Sequence, residues 1–239
     1  MSQEREKYLV VMAGGHGTRM GSDLPKQFLS LNGRPILSLT IERFFRSVPG
    51  LKVVTVLPGD WFDYWKEWCL ENNFHIPQIF ASGGMTRFHS VKNALAKVPG
   101  GALVAIHDGV RPLISPELIN TLFSRAETCP GVIPVTPVTD TLKVLRKEKT
   151  STGETVLREV EGEGPDRSVV YGAQTPQVFW SELIKEAYGV PYETSFTDDA
   201  SVARINGIPL TFVEGERYNL KITRREDLAV AEAVLGLNQ

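Results

Sequence analysis

Cysteine is scarce: Cys69 and Cys129 are the only two in 239 residues, and they stand in no CxxC or Cys/His spacing. That excludes a disulfide framework and structural zinc, and it fits a reducing, cytoplasmic setting. Long apolar runs are absent as well. No stretch approaches the length needed to span a bilayer and the N-terminal "MSQEREKY" is charged, so neither a membrane anchor nor a secretory signal is expected. Charge of one sign is also lacking. Twenty-six basic residues face 28 acidic ones, a net charge of −2, which speaks against nucleic acid or a membrane surface as partner. Any binding of phosphate must come from local groups.

What is present is an ordinary apolar fraction, 42%, in a chain long enough for one substantial α/β domain spanning residues 1–239. Short β-branched runs, "YLVVM" (8–12), "KVVTVL" (52–57), "IPQIF" (76–80), "LVAIHD" (103–108) and "GVIPVTPV" (131–138), read as strands. Helical patterns lie between and after them, at 35–48, 60–71, 86–98, 115–128 and 181–188, after Thr197, and from Thr223. In the first, Pro35 suits the first helical position, and Leu37, Ile41, Phe44, Phe45 and Val48 recur at helical spacing. Asp, Thr or Ser stands ready as N-cap for the next three. Strand and helix in alternation predict a three-layer, mostly parallel, doubly wound sheet with helices on both faces. Ligands bind such sheets beyond the carboxyl ends of the strands, which directs attention to the loops 13–26, 81–87 and 107–112.

Residues 139–170 break the rhythm. Two short alternating runs, Thr141 to Leu145 and Thr155 to Val160, flank the turn Ser151-Thr152-Gly153, a hairpin pattern with too little apolar content for a core. A two-stranded ribbon is marginal alone, so this stretch is expected to be a protruding arm that lies on a second subunit of a homodimer.

"AGGHGTRMGSDLPKQF" follows the first strand directly. It is not a dinucleotide fingerprint: Gly15-His16-Gly17 is followed by Met20 where a third glycine would be needed, and no acidic residue ends the second strand. It is not a P-loop either, since Ser22 and Asp23 follow Gly21 in place of Lys and Ser/Thr. What remains is a glycine loop with free backbone N–H groups and two cations, Arg19 and Lys26, the second stiffened by Pro25. That set suits a triphosphate.

The extended stretch "AGGHGTRMGSDLPKQFLSLNGRPIL" resembles the loop of nucleotidylyltransferases that activate sugar or polyol phosphates. Its "PKQFL" is similar to that of the 2-C-methyl-D-erythritol 4-phosphate cytidylyltransferases. "SGGMTRFHSV" (82–91), "HDGVRP" (107–112), "PVTDTLK" (137–143), "AQTPQVF" (173–179), "TDDASVA" (197–203) and "VEGERYNLKIT" (213–223) continue the resemblance in the family's order. It implies a Rossmann-like nucleotidyltransferase fold, and a reaction in which a polyol phosphate oxygen attacks the α-phosphorus of CTP and expels pyrophosphate. Such a reaction is catalysed by positioning and by fixed positive charge, with Mg²⁺ assisting.

By the resemblance, Arg19 and Lys26 stabilise the transition state, and Lys221 and Arg167 hold the polyol phosphate for attack. Arg167 would come from the neighbouring subunit, with Arg158 as its local competitor, and Thr141 likewise matches a substrate contact across the dimer. Asp108 and Arg111 would contact the polyol, although Asp108 also suits a metal ligand and the two could simply pair with each other. Thr197 would cap its helix and touch the substrate. Ala13, Gly14, Gly15 and Gly17 would offer the nucleotide backbone groups, and Gly83, Gly84 and Ser90 would form the opposite wall. Arg87 would reach the ribose or phosphates. Met85 stands where the family is often acidic, and Gly14 replaces a common alanine. His107 reads as loop packing, because a phosphate dianion needs no base. No protein ligands for the metal can be assigned. A ribitol 5-phosphate cytidylyltransferase is the nearest rival, and a nucleotide-binding module without turnover the next. Replacing Arg19 or Lys26 by Gln is expected to cost on the order of 10²-fold in kcat, measured as pyrophosphate release.

Overall fold

The computed structural model describes residues 4–15, 24–160, 162 and 164–237. Its first strand, β1 (Lys7–Met12), is apolar through its middle because both its faces are covered; Leu9, Val10 and Val11 are wholly buried. A small hairpin, β2 (Ser30–Leu31) and β3 (Arg34–Pro35), turns through Asn32 and Gly33, both at positive φ. Pro35 therefore ends a strand and serves as N-cap, so α1 (Ile36–Ser47) begins one residue later than the sequence predicts. Of the predicted apolar stripe of α1, Leu37, Ile41, Phe44 and Val48 face inward and are buried, whereas Phe45, adjacent to Phe44 and so turned off that face, is exposed.

The alternation continues with β4 (Lys52–Leu57), α2 (Phe62–Glu71), β5 (Gln78–Ser82), α3 (Arg87–Leu95), β6 (Leu103–Asp108), α4 (Pro116–Ala126) and β7 (Gly131–Pro137). Thr86 and Ser115 cap α3 and α4 by accepting a backbone N–H each. A 3-10 turn at Gly59–Trp61 precedes α2, so Asp60 does not cap it. Then come β8 (Leu145–Lys149), β9 (Thr155–Glu159), β10 (Tyr171–Ala173), β11 (Gln177–Trp180), α5 (Ser181–Ala187), α6 (Asp199–Ile205), β12 (Leu210–Glu214) and α7 (Arg225–Leu237).

Eight strands make the main sheet. β6, β1, β4 and β5 are parallel neighbours, and β12 runs parallel to β7. Between β6 and β7, β11 is inserted antiparallel to both, and β10 continues along the same side of β7, so this half of the sheet is mixed. Successive residues of β1 point to opposite faces: Tyr8 and Val10 join a core with Phe88, Val91, Ile184 and Ala203, whereas Leu9 and Val11 join one with Leu37, Ile41, Trp65 and Leu122. The result is the expected three layers.

The arm differs from its sequence reading. Its first strand is Leu145–Lys149 and not Thr141 to Leu145, and it pairs with β9 from Leu145 opposite Glu159 to Lys149 opposite Thr155. Charges support this register, with Arg146 and Arg158 both on Glu148 and Lys143 on Glu159. The ribbon is a sheet of its own. Its large apolar side chains are uncovered: Val144, Leu145, Leu157 and Val160 are all exposed. Among the described residues, no helix is long and apolar enough to cross a membrane.

Candidate active site

The parallel strands β1, β4, β5 and β6 end on one side of the sheet, and a cleft of about 580 Å³ opens there. Ala13, Gly14, Gly15, Lys26, Gly84, Arg87, Ser90, Asp108 and Lys221 all line it, so residues from five distant segments of the chain meet as the sequence predicts. Arg19 and Gly17 lie outside the described residues.

The two glycine segments pack directly on each other at one side of this cleft, so Gly83 backs Gly14 and does not form an opposite wall. A Cβ on Gly14 would stand 3.6 Å from the Cα of Gly83 and 3.7 Å from the Ser90 hydroxyl. A Cβ on Gly84 would come within 2.5 Å of His89 Cβ, so a side chain there would force the turn open. Ser90 closes that turn: its Oγ accepts from the Gly84 N–H at 2.9 Å and donates to the Thr86 carbonyl at 3.0 Å. The Gly83 N–H is bound to the Leu57 carbonyl at 2.8 Å. Gly83 thus supports the wall from behind.

Asp108 ends β6 and is nine-tenths buried as a side chain. Its Oδ2 receives Lys221 Nζ at 2.9 Å and Arg111 Nε at 3.2 Å. Burial alone would raise its pKa, but Lys221, Arg87 and Arg111 together hold it well below the usual carboxylate range. It is therefore ionised at neutral pH. Arg111 also donates from Nη1 to the Asn219 carbonyl at 2.6 Å, which pins the segment before Lys221. The pairing left open for Arg111 in the sequence is present.

With this geometry in hand, the relatives are informative. The family model for 2-C-methyl-D-erythritol 4-phosphate cytidylyltransferase matches residues 8–237. The chain belongs to this family. It is 47% identical over 226 residues to the enzyme of that name from Bacteroides fragilis, covering 95% of this chain and 98% of the relative. To that from Bacteroides thetaiotaomicron it is 44% identical over 227 residues, with the same coverage of 95% and 98%. The crystal structure of 2-C-methyl-D-erythritol 4-phosphate cytidylyltransferase from Thermus thermophilus superimposes with a TM-score of 0.72 at 31% identity, covering 96% of this chain and 98% of the other. The structure of 4-diphosphocytidyl-2C-methyl-D-erythritol synthase from Anaerococcus prevotii gives a TM-score of 0.77 at 27% identity, covering 97% and 96%.

Not every residue expected from the cytidylyltransferase family reaches the cleft. Thr141, Arg167 and Thr197 are exposed and absent from its described lining. Arg167 donates to the Thr139 carbonyl at 3.1 Å. Thr197 does not cap α6; Asp198 does, in a capping box with Ser201, because its carboxylate reaches the Ser201 N–H. Arg87 lines the cleft, but with Nη1 and Nη2 bound to the two oxygens of buried Asp199.

Several participants were invisible in the sequence. Buried Gln27 donates from Nε2 to the carbonyls of Ala13, at 2.7 Å, and Gly15, at 3.2 Å, clamping the start of the glycine loop. Gln174 bonds both the N–H and carbonyl of Glu216, and Asn219 donates to the Thr175 carbonyl at 2.9 Å. Together they brace the strand-like run that carries Lys221. Their only sequence signal is an amide side chain beside a motif residue.

His107 is fully buried against Phe44, and its Nε2–H donates to the Arg111 carbonyl at 3.1 Å. Nδ1 has no hydrogen-bond partner among the described residues, and burial pushes the pKa down to about 4. The ring is neutral and structural, in accord with the loop-packing reading. Because the folded pKa lies below the ordinary value near 6.5, its stabilisation is complete above that pH and is lost as pH falls toward 4. The loss is expected to reach roughly 3 kcal/mol. Urea midpoints at pH 7.5 and 4.5 should fall further for the wild type than for His107→Gln; an equal fall in both would refute the assignment.

Proposed function

We propose that this protein transfers CMP from CTP to 2-C-methyl-D-erythritol 4-phosphate, giving 4-diphosphocytidyl-2-C-methyl-D-erythritol and pyrophosphate. The observation that carries this reading is the meeting of Lys26, Lys221 and the ion-paired Asp108 with Gly14, Gly15 and Gly84 in one cleft. A phosphate oxygen of the polyol attacks the α-phosphorus of CTP, a new P–O bond forms, and the bond to pyrophosphate breaks. No covalent enzyme intermediate and no general base are required, so bringing two anions together is the main barrier.

Lys26, with Arg19 on the same loop, neutralises charge that builds on the α-phosphate and the departing pyrophosphate. Lys221 holds the attacking phosphate. Asp108 keeps the Lys221 ammonium at the cleft wall and faces the polyol hydroxyls, with Arg111 bracing it from outside the described lining. The flat base fits over Gly15, around which no neighbour would lie within 4 Å of an added Cβ, with Gly14 and Gly83 packed on each other behind it. Magnesium fits as a companion of the nucleotide: among the described lining residues Asp108 is the only carboxylate, and this ion is commonly held by one or two carboxylates plus substrate phosphates. It would lower the charge of the triphosphate.

The working unit in this reading is a cytoplasmic homodimer. Arg167 and Thr141 stay outside their own chain's described cleft lining, and the arm bearing exposed Leu145, Leu157 and Val160 supports a second copy as its cover. Each chain would then lend Arg167 and Thr141 to its neighbour's polyol site. The half-buried free thiols of Cys69 and Cys129 accord with a reducing compartment.

Purified protein given CTP, Mg²⁺ and 2-C-methyl-D-erythritol 4-phosphate should release pyrophosphate faster than with ribitol 5-phosphate. The reverse order would replace the substrate, and CTP binding without turnover on either would leave a binding module. Light scattering should give about twice the chain mass, and deleting 145–160 should halve it and abolish turnover; a deletion variant that stays dimeric and active would remove the arm's role.

A further inference from the structure

Arg87 opens α3 at the cleft wall, and its guanidinium is gripped from behind. Nη1 and Nη2 donate to Oδ1 and Oδ2 of Asp199 at 2.7 and 2.6 Å, an end-on fork onto a carboxylate with no solvent exposure. The hydroxyl of Tyr188, also buried, donates to the same Oδ1 at 2.5 Å. Burial beside Asp199 holds that phenol protonated. Asp199 itself cannot shift. It begins α6, whose cap Asp198 receives Gln177 Nε2 at 2.8 Å, while Gln177 Oε1 accepts the Ala200 N–H at 2.7 Å.

A guanidinium has five donors, and Asp199 takes two. No other described residue accepts from Arg87, and its side chain, one-third exposed at 33%, turns to the cleft beside Lys26 and Lys221. The full charge of Asp199 offsets that of Arg87, so Arg87 adds little to the field that gathers anions. What it adds is direction: a planar donor edge in a fixed orientation, which the flexible lysines cannot supply.

Resting on the cytidylyltransferase reading, we infer that Asp199 and Tyr188 are positioning residues that lock Arg87 as a rigid fork for phosphate oxygens of the bound nucleoside triphosphate. Two observations carry this independently of the motif match. A buried acid is spent on aiming a single cation, and that cation lines the cleft that holds the other phosphate-directed groups.

The test titrates CTP and cytidine calorimetrically into the full-length wild type, Asp199→Asn, Tyr188→Phe and Arg87→Lys, with thermal melts of each. Asp199→Asn should weaken CTP about tenfold or more and Tyr188→Phe about threefold, while cytidine affinity and the KM for the polyol phosphate stay within about twofold. Arg87→Lys keeps an ion pair to Asp199 but loses the fork, and it decides the matter if Asp199→Asn fails to fold. CTP binding like wild type in the variants that fold would overturn the inference. So would equal losses for CTP and cytidine, which would place the contact on the nucleoside, or equal rises in KM for both substrates, which would mean a general loosening. A wild type that binds CTP but releases no pyrophosphate would remove the reaction and leave the CTP titrations to judge the fork.

Discussion

A carboxylate buried at the end of β6 is the constraint on which the site depends. Asp108 is removed from water yet ionised, and that is tolerable only because cations from other parts of the chain reach it. Arg111 comes from the loop immediately following, whereas Lys221 comes from a segment more than a hundred residues on, after the arm and three further strands. The buried amides of Gln174 and Asn219 hold that late segment against the sheet. Pairing one acid thus draws the first half of the chain and the last into a single wall.

The second acid, Asp199, works at another part of the same cleft lining in a comparable way. It holds Arg87 at the start of α3, and α6, which carries it, is anchored to β11 through Gln177. The antiparallel insertion of β11 is what brings α6 to this end of the sheet. Open space lies beside Gly15, and Gln27 fixes the start of that glycine loop through the carbonyls of Ala13 and Gly15. Rigid donors at the rim and empty room between them are what transfer between two anionic substrates demands, since little covalent chemistry is left for the protein to perform.

Much of this was legible before the fold was known. The strands β1, β4 and β6 and the inward stripe of α1 follow from apolar runs and helical spacing, because local periodicity reports which faces are covered. Lys26 and Asp108 converge because their motifs follow the ends of parallel strands, whereas Lys221 is brought to them in the sequence only by the family resemblance of "NLKIT". Pro35 was misread because a proline suits both a cap and a first helical turn. The arm's first strand was misplaced because the alternation of "TLKVL" competes with that of "LRKEK", and the cross-strand charges that decide between them are visible only in pairs. Thr197 was assigned a cap that Asp198 takes, since either side chain serves and only backbone geometry chooses.

The sequence by itself determined where the central strands lie along the chain, the loops at their carboxyl ends and the inventory of cations, because these depend on local pattern and residue chemistry. The tertiary structure alone decided which acid meets which cation. Asp108 with Lys221 and Asp199 with Arg87 are each separated by more than a hundred residues, and nothing in the local sequence distinguishes a carboxylate that will be buried and paired from one left in water. That choice is made by packing, since burial makes an unpaired charge too costly to keep.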